Sequence, residues 1–150
     1  MKVNIALVKA ELQVVESRPK LDNYWYWGDP GTGKSSKVKE LHPDVYEKAE
    51  NKWWDGFVDQ SAVLIDDLDS DVLGHYLKIW ADHYPFNAEI KAGVVRIRPD
   101  KIYVTSNHSI DELFGHKPKM CAALKRRFTE VHFKNPYKYD QLRAEKILEN

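Results

Sequence analysis

The chain has 150 residues, 43% of them hydrophobic and 12% aromatic, with 23 Lys plus Arg against 23 Asp plus Glu. That length suits one domain, and the aromatic content argues against a disordered chain. The single cysteine, Cys121, excludes an internal disulfide and any multi-cysteine zinc site, and the zero net charge argues against a simple polycation that coats nucleic acid.

Residues 3–15 place Leu7, Ala10, Glu11 and Val14 on one helical stripe with Ile5, Val8, Leu12 and Val15 beside it. This predicts an apolar helix, which Arg18-Pro19-Lys20 ends. Tyr24-Trp25-Tyr26-Trp27 is a β-prone run, large on both faces, as in a strand buried within a parallel sheet. A helix over Ser36–Leu41 follows. Ala62-Val63-Leu64-Ile65 and Ile102-Tyr103-Val104-Thr105 are further strands of this kind, and Phe128–Phe133 is a fourth. Between them, Ser70 is placed to cap a helix carrying Leu73, Tyr76, Leu77 and Trp80. Ser109-Ile110-Asp111-Glu112 matches a capping box, and Met120–Lys125 suits another turn or two of helix. Strands alternating with helices predict an α/β domain with a mostly parallel central sheet flanked by helices.

The charge balance is a cancellation. Residues 55–89 carry eight acids and one base, whereas residues 90–139 carry eleven bases and four acids. A ligand feels the local field rather than the total. No apolar stretch approaches the ~18 residues of a membrane helix. With one cysteine, the expected setting is an intracellular, reducing one.

Gly28-Asp29-Pro30-Gly31-Thr32-Gly33-Lys34-Ser35 fits G-x-x-x-x-G-K-[ST] at every fixed position, between a predicted strand and a predicted helix. Glycines let backbone N–H groups turn inward around phosphate oxygens, and the helix N-terminus adds partial positive charge. Gly28, Asp29, Pro30, Gly31, Thr32, Gly33, Lys34, Ser35 and Ser36 are therefore the expected nucleoside-triphosphate-binding segment, with Lys34 on the β- and γ-phosphates. Ser35 is the expected Mg2+ ligand. Val63-Leu64-Ile65-Asp66-Asp67 delivers two carboxylates to a strand end. Asp66 and Asp67 are candidates for metal binding, and Asp67 for polarising the attacking water. At the next strand end, Asn107 is an uncharged amide able to orient that water. Lys125-Arg126-Arg127 precedes the last strand. Taken alone it reads as a basic surface, although an arginine placed at a triphosphate stabilises transition-state charge. Glu89–Arg98 reads as a half-exposed hairpin, with Val95 and Ile97 alternating with Arg96 and Arg98, a turn at Ala92-Gly93 and Lys91 at its tip. Trp53 and Trp54, beside a glycine turn, read first as core residues and second as surfaces that stack a base or the adenine.

Gly28–Ser35, Val63–Asp67, Ile102–Asn107 and Ala123–Phe128, in this order, resemble the motifs of a superfamily 3 helicase. Asn51–Phe57, Leu77–Phe86 and Arg98–Asn107 narrow the resemblance to the replication-associated proteins of circular single-stranded DNA viruses, circoviruses and circo-like viruses nearest. It runs from about Tyr24 to Phe133. What it implies is an AAA+-type P-loop ATPase core that assembles into rings, usually hexamers, with ATP between neighbours. It implies Mg2+-dependent hydrolysis driving movement on single-stranded DNA in viral rolling-circle replication, in the host nucleus and without a membrane partner. The resemblance carries the sensor amide onto Asn107, the arginine finger onto Arg126 or Arg127, and a DNA-gripping lysine onto Lys91. The implied organisation is an N-terminal helical segment over 1–22 (a partial oligomerisation collar), a core over 23–135 and a tail over 136–150. Full-length relatives also carry a nickase domain with a His-hydrophobic-His motif and a Tyr-x-x-Lys. Neither pattern occurs here, so the expectation is an ATPase domain that neither cuts nor joins DNA. Three other readings stay open: a related helicase acting on RNA, a small-molecule P-loop kinase, and a module that binds ATP only to assemble.

Overall fold

A computed structural model describes residues 15–136. The helix expected over 3–15 and the tail from 136 lie outside that span, apart from their end residues. In chain order the elements are β1 (Tyr24–Gly28), α1 (Lys34–Leu41), β2 (Tyr46–Glu47), β3 (Ala62–Ile65), α2 (Gly74–Trp80), β4 (Phe86–Ile90), β5 (Gly93–Ile97), β6 (Lys101–Ser106), α3 (Ile110–Phe114), α4 (Pro118–Arg127) and β7 (Thr129–Phe133). Five strands form one parallel sheet in the order β2-β3-β6-β1-β7, and β4 and β5 form a separate antiparallel hairpin. The α/β architecture expected of the sequence is the one observed. β2 was not expected, because two residues are too short to show a period.

Strand alternation sorts the sheet's two faces. Trp25, Val63, Ile65, Ile102 and Val104 point to one side, where Leu77, Trp80, Phe114 and Leu124 of α2, α3 and α4 cover them. Tyr26, Ala62, Leu64 and Tyr103 point to the other side and pack with Val38 of α1. A sheet covered on both faces explains why its central strands are apolar without a polar alternate. At the base of β1, Asn23 is buried and bonds three elements. Its amide donates to the carbonyls of Ala81 (2.9 Å) and Arg127 (3.2 Å), and its side-chain oxygen accepts from Ile102 N–H (3.0 Å).

Ser109 caps α3, accepting from Glu112 N–H at 3.2 Å, an arrangement worth about 1 kcal/mol. Ser70 does not cap α2. That helix starts at Gly74, whose N–H closes a turn on the Asp71 carbonyl at 3.2 Å, and no side chain caps it. The hairpin turns at Lys91-Ala92, with Gly93 opening β5. Val95 and Ile97 face inward as expected, but Arg98 is only 6% exposed. It lies just past the end of β5, so the strand's alternation no longer governs it.

The segment after β2 is held by a buried lysine. Lys48 N–H extends the pairing with β3 through the Leu64 carbonyl. Its ammonium lies 5.5 Å from the Trp54 ring and 4.9 Å from the Trp80 ring. It donates to the carbonyls of Ala49 and Asn51 and to the Asn51 side-chain oxygen. No carboxylate pairs with it among the described residues, and burial pulls its pKa down to about 8. Between about pH 8 and the ordinary value near 10.4 the unfolded chain holds the proton more tightly than the folded one. Stability from this group therefore rises with pH across that window. Tyr46, pushed up to about 12 by burial, works in the opposite sense only above its ordinary value near 10. Urea unfolding at about pH 8 and about pH 9.5 is expected to show wild type gaining stability relative to Lys48→Met. Parallel profiles for the two proteins would remove the burial cost from Lys48.

Candidate nucleotide site

β1 runs straight into the glycine loop, and the loop runs into α1. Gly28, Gly31 and Gly33 all have positive φ (144°, 80° and 84°). At Gly28 a Cβ would lie 2.2 Å from the Phe133 carbonyl oxygen, so the strand-to-loop turn admits no side chain. Gly33 occupies the cap position of α1 in left-handed conformation, and Lys34 opens the helix. Lys34 is 9% exposed, and its ammonium donates to the carbonyls of Gly28 and Asp29, both at 2.8 Å. It also reaches the Asn107 side-chain oxygen at 3.4 Å. Burial lowers its pKa, against the opposing pull of Asp67, Asp29 and Asp66.

The strand order places β6 between the loop strand β1 and the carboxylate strand β3. All three end at the same edge of the sheet, where ligands bind in open α/β folds. Their tips are cross-linked. The Thr105 hydroxyl donates to Asp66 Oδ1 at 2.6 Å and accepts from Asp67 N–H at 2.9 Å. Ser35 Oγ donates to the same Asp66 oxygen at 2.5 Å. Ser106 Oγ donates to the Leu68 carbonyl and accepts from His108 N–H. Trp25 Nε1, rising from the core, donates to the His108 carbonyl at 2.9 Å and steadies the loop that carries Asn107. Asp67 adopts left-handed backbone (φ 56°), a conformation that Asp tolerates better than most residues, and this turns the chain sharply at the site.

These residues enclose an open cavity of about 390 Å³ lined by Pro30–Ser36, Asp66, Asp67, Thr105 and Asn107. The fold thus brings the glycine loop, both carboxylates and the amide together from three strand ends. Ser35 and Asp66 offer adjacent hard oxygens, a donor pair that suits a magnesium ion taking its other ligands from phosphate and water. Among the described residues, no group of three or more His, Cys, Asp or Glu side chains could hold a metal alone. A second cavity, of about 500 Å³, borders the loop on the β7 side and is lined by Asp29–Thr32, Lys134 and Pro136.

Three residues singled out in the sequence lie away from the cavity walls. Lys91 is exposed in the hairpin turn, its N–H donating to Asp55 Oδ1 at 3.1 Å. Arg127 is 8% exposed and committed within the subunit. Its guanidinium donates to the carbonyls of Lys78 (2.8 Å) and Ala123 (3.0 Å) and to Asp82 Oδ2 (3.0 Å). Arg126 is exposed, with no hydrogen bond or ion pair among the described residues. Sequence reasoning missed Thr105, which bonds both acidic residues. Its signal was its place at the polar tip of β6, two residues before Asn107.

Residues 24–108 match the model of the RNA helicase family. The chain is 34% identical over 116 residues to the replication-associated protein of Human associated cyclovirus 1, covering 72% of this chain and 41% of that protein. It is 31% identical over 121 residues to that of Beak and feather disease virus (79% and 41%). To that of Porcine circovirus 1 it is 34% identical over 110 residues (71% and 35%). The chain therefore spans about two-fifths of the length of these relatives. No helix among the described residues is long and apolar enough to cross a membrane. The matched segment runs from the start of β1 to just past Asn107 and contains the loop, both carboxylates and the amide, so the chain belongs to the RNA helicase family, as a domain like that of the circovirus replication-associated proteins.

Proposed function

We propose that this chain is a magnesium-dependent ATPase that assembles into a ring and moves along single-stranded DNA during replication of a viral genome. The observation that carries the reading is the convergence of Lys34, Ser35, Asp66, Thr105 and Asn107 on one cavity at the sheet edge. Lys34 neutralises phosphate charge as the helix N-terminus and loop N–H groups orient the triphosphate. The second cavity, toward Lys134, takes the nucleoside. Ser35 and Asp66 would hold magnesium, which neutralises charge on the phosphate oxygens. Asp67 accepts the proton of the attacking water, and Asn107 orients that water. Arg126, exposed at the end of α4, completes the site of a second copy by stabilising charge in the transition state.

Steady-state ATP hydrolysis with magnesium, with and without single-stranded DNA and across protein concentrations, tests this reading. Specific activity is expected to rise with concentration and with added strand. Activity independent of concentration across the assembly range would remove the shared site. Tight ATP binding without turnover would favour an assembly module. A second reading, action on RNA, is favoured by the description of the matching family. It would show as stimulation by an RNA strand and not by DNA.

A further inference from the structure

Trp53 and Trp54 are neighbours with opposite fates. Trp54 is 1% exposed, and its ring contacts Tyr46, Phe57, Trp80 and Phe86. Trp53 is bridged through its backbone to Glu89 of β4, and its ring is only half-buried, outside this cluster. Core packing therefore explains one tryptophan and not the other. The Lys52 ammonium stands 4.6 Å from the Trp53 ring centroid. Beside the ring opens a cavity of about 250 Å³, whose walls include Tyr46, Asn51, Asp55 and the hairpin-tip Lys91. That is smaller than the ~300 Å³ at which pockets for drug-sized ligands begin.

Two of the three acids around this cavity are already neutralised by lysines. Glu47 pairs with Lys39 at 3.1 Å, Glu89 with Lys52 at 3.4 Å, and Asp55 accepts the Lys91 N–H. A strand arriving here meets the Trp53 ring with Lys52 beside it, Lys91 on the cavity wall and polar side chains at the rim. Sequence-tolerant binding of single strands uses such a combination of stacking surface and cation.

We propose that Trp53 is a stacking platform for one unpaired nucleobase, with Lys91, which lines the same cavity, taking an adjoining phosphate. This rests on the reading that the chain acts on single-stranded nucleic acid. The test compares binding of a thymidine oligomer, a uridine oligomer and an abasic phosphodiester of equal length. Trp53→Ala is expected to weaken binding to base-bearing strands by roughly 5- to 100-fold and to leave the abasic strand unchanged. Unchanged affinity for base-bearing strands, or an equal loss on the abasic strand, overturns the platform. Loss on thymidine alone or uridine alone assigns the platform to that sugar. If wild type binds none of the three, the functional reading fails first and the platform falls with it.

Trp53→Phe supplies an independent measurement that does not depend on the alanine variant folding. Wild-type tryptophan emission is expected to be quenched by the base-bearing oligomer and not by the abasic one. In Trp53→Phe that quench should vanish while affinity stays within about threefold, since phenylalanine retains a π-face. A full quench surviving in Trp53→Phe would place the stacked base elsewhere.

Discussion

Alanine at Arg126 is expected to cut ATP turnover by about 10³-fold or more while leaving nucleotide affinity nearly unchanged. Alanine at Arg127 is expected to act on the fold instead. The two arginines are adjacent and chemically identical, but successive residues on a helix point about 100° apart. At the end of α4 this turns Arg127 under α2, onto the Lys78 carbonyl and the Asp82 carboxylate, and leaves Arg126 in solvent. Burial pushes the Asp82 carboxyl up, but the His83 N–H and the Arg127 guanidinium outweigh it and hold Asp82 below its ordinary value. Removing Arg127 strands that carboxylate and two carbonyls, a loss of about 3 kcal/mol for a pair of which Asp82 keeps some solvent contact. Thermal or urea unfolding should register Arg127→Ala, and kcat should register Arg126→Ala. Mixing Arg126→Ala with Lys34→Ala sharpens the test. If Arg126 acts across copies, each variant supplies what the other lacks and activity partly returns. No recovery on mixing, or equal activity of Arg126→Ala and wild type, would remove Arg126 from the shared site.

Lys34→Ala is expected to lower turnover by at least about 10²-fold, the scale of losing one preorganised charge at a transition state. Unlike the arginine variant, it should also weaken binding of the triphosphate. The ammonium is buried against the loop carbonyls and within reach of Asn107, so no water or neighbouring side chain replaces its charge at low cost. Lys34 adds nothing to the core clusters, so the fold should survive its removal, with unfolding midpoints lowered by the two loop carbonyls left without their donor. A variant that hydrolyses ATP normally would overturn the assignment of the cavity.

The glycine loop was legible because its eight residues are contiguous, and each fixed position has a local reason: turn, backbone approach, charge or hydroxyl. The central strands were legible because burial on both faces leaves continuous apolar runs, as at Ala62–Ile65. The zero net charge concealed a division along the chain. Its acidic block contains Asp66 and Asp67 at the cavity beside the glycine loop, and its basic block contains Lys91 and Arg126 outside it.

What the sequence determined by itself is what depends on near neighbours along the chain: the glycine loop, the strand periods, the Ser109 cap and the order of the motifs. The tertiary structure decided what depends on residues far apart in sequence. It brought Thr105 onto Asp66 and Asp67, buried Lys48 between Trp54 and Trp80, and separated Arg126 from Arg127 and Trp53 from Trp54. The physical reason is that burial and hydrogen bonding are set by which elements pack together. Adjacent residues of one type look alike until a neighbouring helix or strand covers only one of them.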